Sequence, residues 1–108
     1  MTADDVLESL VEECRQDHVG LCEIVRAAQL DLGAADPMQT RAVTLQLVRD
    51  LLSERKVQAG YPTPDGQRFV AWEGTPAEVL RRIERDWAAL GREPDIGEVV
   101  WFTAQAGG

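Results

Sequence analysis

Asp36-Pro37-Met38-Gln39-Thr40-Arg41-Ala42-Val43-Thr44-Leu45-Gln46-Leu47-Val48-Arg49-Asp50-Leu51-Leu52-Ser53-Glu54-Arg55-Lys56-Val57 is the stretch on which the fold turns. Asp36 can accept amide hydrogens as an N-cap, Pro37 suits the first helical position, and Gln39 completes a capping box. A helix is therefore expected from residue 37 to about Arg55. At about 100° per residue, Val43, Thr44, Leu45, Leu47, Val48, Leu51 and Leu52 fall in one arc of about 200°. An arc that wide implies burial on two sides, so this is the central helix. Its solvent face carries Gln39, Ala42, Gln46, Arg49, Asp50 and Ser53.

C-terminal to this helix the apolar period changes from 3.6 to 2. Val57-Gln58-Ala59-Gly60-Tyr61 and Arg68-Phe69-Val70-Ala71-Trp72 read as short strands around Pro62-Thr63-Pro64-Asp65-Gly66-Gln67. Pro64 presets φ and Gly66 permits a positive φ, which is the chemistry of a tight turn. The product is a β-hairpin.

N-terminal to the central helix, Thr2 and Asp5 form a capping box ahead of Val6, Leu7, Leu10, Val11 and Cys14, which predicts a helix over 3–16. Asp17 can cap a second helix with Leu21, Ile24, Val25 and Ala28 as its apolar stripe and Gly33 as its stop. Past the hairpin, Thr75-Pro76-Ala77-Glu78 is a further start signal, followed by the seam Leu80, Ile83, Trp87 and Leu90 and by Gly91 as the stop. Gly97 to Thr103 reads as a final strand, with Val99 and Trp101 on one face and Val100 and Phe102 on the other. Being apolar on both faces, it belongs in the sheet beside the hairpin. Residues 104–108 are expected to fray. The fold class is α+β: one domain over 1–108, with about four helices and a small antiparallel sheet made of the hairpin and the C-terminal strand.

This order of two helices, a long helix and a twisted hairpin resembles a winged helix-turn-helix domain over about residues 18–72, with Thr40 to Val57 similar to the second helix of that motif running into the first strand of the wing. The resemblance implies DNA binding, with the long helix in a major groove and the wing against the backbone. The residues that would carry it are Gln39, Gln46, Arg49 and Arg68. A reading helix normally brings several Arg or Lys to bases and phosphates. Here the solvent face offers one positive and one negative charge, and Arg68 is the lone base near a hairpin tip that also holds Asp65 and Gln67.

Charge points away from nucleic acid. The 108 residues carry a formal net charge of −8. Residues 1–36 hold nine acidic and two basic side chains, residues 37–92 seven acidic and nine basic, and residues 93–108 three acidic and no basic ones. An acidic balance repels phosphate backbones and suits a basic protein partner. The composition, 44% hydrophobic and 28% charged, is that of a globular protein. No apolar run approaches the roughly 18–20 residues of a membrane span, and the N-terminus is acidic where a signal peptide is basic and then apolar. Cys14 and Cys22, both on apolar helical faces, read as free thiols, so the cytoplasm is the expected location.

Catalytic and metal-binding constellations find little material. His18 is the only histidine, and a helix boundary separates it from Cys14. The chain has no Cys-x-x-Cys, His pair, Asp-x-Asp-x-Asp loop or Gly-rich phosphate loop, so no catalytic, cofactor or metal residue is assigned and no cofactor is expected. Asp4/Asp5 and Glu12/Glu13 sit on an exposed helix face, where burial cannot tune them for acid–base work. Trp72, Trp87 and Trp101 each fall on a face expected to be core.

Two charged surfaces remain. The first helix presents Asp5, Glu8, Glu12 and Glu13 away from its apolar stripe, extended by Asp17. The last presents Arg81, Arg82 and Arg85, with Glu78 at i,i+4 spacing to pair with Arg82. The expectation is a non-enzymatic protein-binding module that engages a basic partner through Asp5, Glu8, Glu12, Glu13 and Asp17. In composition it resembles the small acidic immunity or antitoxin partners of secreted nuclease toxins. The alternative is a winged helix-turn-helix transcriptional regulator that binds DNA.

Overall fold

The computed structural model describes residues 2–54 and 57–105. In chain order these form α1 (Ala3–Gln16), β1 (Val19–Gly20), α2 (Leu21–Leu30), α3 (Pro37–Ser53), β2 (Val57–Pro62), β3 (Phe69–Ala71), α4 (Pro76–Leu90) and β4 (Trp101–Ala104). This is the expected α+β class, with four helices and one antiparallel sheet in the order β1-β4-β2-β3.

The helix starts follow their local chemistry. Thr2 Oγ1 accepts from the Asp5 amide at 3.2 Å while the Asp5 carboxylate accepts from the Thr2 amide at 3.1 Å. Thr75 and Glu78 close the same reciprocal box at α4. At α3, Asp36 accepts from the Gln39 amide at 2.8 Å, but the Gln39 side chain accepts from Ala35, one residue before the cap. α3 ends at Ser53; Arg55, where its end was expected, lies outside the described residues, as does Lys56.

The second helix departs from expectation. Asp17 does not cap it. Asp17 is the extended C-cap of α1, its carboxylate accepting from the His18 amide at 2.7 Å, and Val19–Gly20 then form β1. α2 begins at Leu21 behind Gly20, which offers no side-chain cap. The orphan amide of Leu21 donates instead to the Val100 carbonyl at 3.2 Å. A partner 79 positions away in sequence replaces the local cap, because β1 lies beside β4 in the sheet. α2 also stops at Leu30, short of Gly33.

In the hairpin, the Gly66 amide donates to Thr63 O at 2.8 Å, and Gly66 has a φ of 73°. Thr63 Oγ1 accepts from the Arg68 amide and Asp65 from the Gln67 amide. Gly60 faces Ala71 across the ladder, and a Cβ there would stand 2.1 Å from Val70 O. Only a residue without a side chain lets the two strands approach so closely.

The last strand is shorter than expected at its start and longer at its end. Gly97 and Val99 have φ of 78° and 69°, outside the β region, and the Val100 amide donates to Glu98 O at 2.8 Å. That three-residue turn is of the rare γ type, and the strand starts only at Trp101. Ala104, expected to fray, pairs with Val57; residues 106–108 lie outside the described residues.

Val19, Phe102 and Ala59 stand abreast on the inner face of the sheet. They join Val6, Leu10 and Cys14 of α1, Ile24 and Val25 of α2, Leu47, Val48 and Leu51 of α3, and Ile83 and Trp87 of α4 in the core. α3 packs against α1, α2, α4 and β2, which makes it the central helix its apolar arc implied. Trp87 is buried. Trp101 is not, as had been expected: it points to the outer face, half-exposed, with its ring 3.6 Å from the space above Gly20. The register places it on the face opposite Phe102's, where its ring also lies 3.6 Å from the position a Cβ would take at Gly97. Trp72 is half-buried as well, and the Arg82 guanidinium lies over its ring at 3.7 Å.

Candidate functional site

The acidic residues of α1 lie where their spacing puts them. Val6, Leu10, Val11 and Cys14 face the core, so Asp5, Glu8, Glu12 and Glu13 project to solvent, and Asp17 follows exposed at the C-terminal end. They are not equivalent. Asp5 is engaged in the capping box, and its hydrogen bonds from the Thr2 backbone and side chain hold its carboxyl below the ordinary range. Glu12 pairs with Arg15 at 3.2 Å and accepts from Gln16 at 3.3 Å. Among the described residues, Glu8, Glu13 and Asp17 have no cation within ion-pair distance, which leaves them as the free negative charge of this face.

Glu13 also borders a groove that the sequence reading did not anticipate. One wall is Val6, Ser9, Leu10 and Glu13 of α1, and the other is Glu23, Arg26, Ala27, Leu30 and Asp31 at the outer side of α2; it encloses about 260 Å³. Both walls recur at i, i+3, i+4 and i+7, the spacing of one helix face. The rim therefore holds three carboxylates against one guanidinium. Leu30 stands at its edge, 75% exposed. Partial burial pushes the Glu23 carboxyl up, with Glu13 and Asp17 adding repulsion and Arg26 partly opposing them. Glu23, Arg26, Ala27 and Leu30 recur at helical spacing in the sequence, a signal separate from the apolar stripe of Leu21, Ile24, Val25 and Ala28. Their meeting with α1 was not visible there, because periodicity names faces but does not pair them.

The residues that the DNA resemblance would use are dispersed in their roles. Gln39 accepts from the Ala35 amide, and Gln46 donates to Asp50 at 3.1 Å. Arg49 is exposed beside a groove of about 510 Å³ between α3 and α4, across from Arg81. Arg68 is exposed in the hairpin loop, its backbone tied to Thr63. On α4, Glu78 serves its cap and does not pair with Arg82 as expected; Arg82 and Arg85 both approach Asp86, at 3.8 and 3.4 Å.

His18 is half-buried, its ring 5.2 Å from that of Phe69. Both cysteines are free thiols. Burial, with Glu13 and Glu23 adding to it, pushes Cys14 up to about 12, and burial raises Cys22 as well. Thiols so shifted are poor nucleophiles at neutral pH. Among the described residues no three His, Cys, Asp or Glu side chains gather closely enough to hold a metal ion, and no helix is long and apolar enough to cross a membrane.

No protein-family model, curated protein or solved structure matches this chain.

Proposed function

We propose that this chain is a non-enzymatic protein-binding domain that holds a basic protein partner against the acidic face of α1. The observation that carries this reading is the exposed acidic face of α1, where Glu8, Glu13 and Asp17 have no cation within ion-pair distance among the described residues and Glu23 of α2 faces Glu13 across the groove. Like charges held together destabilise the free protein, and a cationic partner relieves that cost on binding. Glu8 and Glu12 continue the same field along the helix. With nine acidic and two basic side chains in residues 1–36, the field draws in a positive surface and raises the encounter rate. The likeness in composition to immunity and antitoxin proteins supplies a partner class: a basic toxin, of which a nuclease is one kind.

The test is reversal of Glu8, Glu12 and Glu13 to lysine. All three are exposed, Glu8 and Glu12 opposite the buried stripe of α1 and Glu13 at its edge beside the groove, so the fold is expected to survive, as cooperative thermal unfolding will verify. Captured basic proteins should be lost from the variant in nuclease-treated host extract. Association with the wild type should slow markedly between about 50 and 500 mM salt. Reversal of Arg81, Arg82 and Arg85 should matter less. Undiminished capture by the α1 variant refutes the reading.

A further inference from the structure

We infer that the groove between α1 and α2 receives an apolar side chain from a basic amphipathic helix of the partner. This rests on the acidic-face reading above and adds to it the form of the segment that docks.

Three features of the groove set the chemistry of its occupant. Apolar and polar surface share the lining: Val6 and Leu10 are buried at its base beside Ser9, Ala27 is half-buried on the opposite wall, and Leu30, 75% exposed, supplies the accessible apolar edge. The rim is acidic, with Glu13 on one side and Glu23 and Asp31 on the other, against the single Arg26. The volume, about 260 Å³, falls below the roughly 300–1,000 Å³ of small-molecule sites, and the groove lies between two helices along their length. That is the shape of a helix-in-groove contact, in which anchors at i, i+3 or i+4 enter between two helices.

Charge complementarity then selects among segments. A small cation would meet the carboxylates but leave Leu30 in water. An apolar helix without charge would bury Glu13 and Glu23 unpaired, which is costly. An acidic helix is repelled. A helix with leucine-like anchors on one face and lysine or arginine flanking them covers Leu30 and meets the rim together, placing positive charge opposite Glu13, Glu23 and Asp31.

The probes are three synthetic peptides of about 18 residues, long enough to hold a helix. One is a lysine–leucine helix with a single apolar face, the second its scrambled isomer without a face, and the third the first with glutamate for lysine. Each is titrated into isotope-labelled protein, wild type and Leu30→Asp, at about 50 mM salt with amide shifts recorded by NMR. The amphipathic lysine peptide should bind wild type at least tenfold more tightly than its isomer and shift Ser9, Ala27 and Leu30. Leu30 is exposed, so its replacement leaves the core intact. Leu30→Asp removes apolar surface while adding a negative charge. Docking in the groove predicts that it weakens the peptide at least fivefold, whereas attraction by charge alone predicts equal or tighter binding. If both lysine peptides bind alike and Leu30→Asp binds no more weakly, the groove is not the site, while the acidic-face reading stands. Failure of every lysine peptide to bind, or equal binding of the glutamate peptide, overturns both.

Discussion

Thr44 is fully buried in the middle of α3, and its hydroxyl oxygen has no hydrogen-bond partner among the described residues. A hydroxyl buried without a partner costs about 1–3 kcal/mol, and valine fills nearly the same volume without one. Thr44→Val should therefore raise stability by about 1 kcal/mol, read as a rise of several degrees in the thermal midpoint. Glu98 is the opposite case, a polar group with more partners than its position requires. Its two oxygens accept from Arg92 at 2.6 and 2.7 Å, and one also accepts from the Asp95 amide at 2.8 Å. The Arg92 hydrogen bonds first, and then the Asp95 amide, pull its carboxyl from the ordinary 4.5 to about 2. A carboxyl that is more acidic in the folded state stabilises that state above its unfolded value. The contribution is present above about pH 4.5 and is lost as pH falls toward 2. Glu98→Gln should unfold at a lower temperature than wild type at pH 7, and the two midpoints should converge near pH 2. A constant gap across that range would show that the pair acts other than through ionisation. The same bonds brace the segment that carries Val99, a β-branched residue at a φ of 69° and an uncommon conformation for its kind, and Tyr61 adds a hydrogen bond to the Val99 carbonyl.

Among the elements, the helices with strong local start signals formed where those signals lie. Thr2, Asp36 and Thr75 are each followed three residues on by a group that closes a box or its near equivalent, and α1, α3 and α4 begin directly after them. β1 and the start of α2 were not legible. Two residues are too few to show a period, and Val19-Gly20 becomes a strand only because β4 lies alongside. The hairpin was legible as a turn with two flanking strands, but its tightness was not. Gly60→Ala tests that tightness. The added methyl would meet the Val70 carbonyl oxygen, backbone that can yield only by opening the β2–β3 ladder. A loss of about 3 kcal/mol, at the upper end of overpacking costs, is expected in chemical denaturation, together with faster amide exchange in β3. A loss below about 0.5 kcal/mol would mean that the strands part there without penalty.

For the molecule as a whole, the sequence by itself determined the class, the central helix and the distribution of charge. Capping chemistry and the 3.6-residue period are local, and the lopsided placement of acids is a matter of counting. The exposure of Asp5, Glu8 and Glu12 was legible for the same reason, since residues on one helix keep their angles to its apolar stripe wherever the helix goes. What only the tertiary structure decided were the pairings. It set β4 between β1 and the hairpin, gave the Leu21 amide a partner in Val100, and put Trp101 on the face opposite Phe102, where it is half-exposed. It also brought Glu23 of α2 beside Glu13 and Asp17, which converts an acidic helix face into an acid-rimmed groove. Periodicity fixes the angle of a side chain about its own helix axis. Which second helix stands across from it depends on how all the apolar faces close on one another, and that free energy is shared by the whole core.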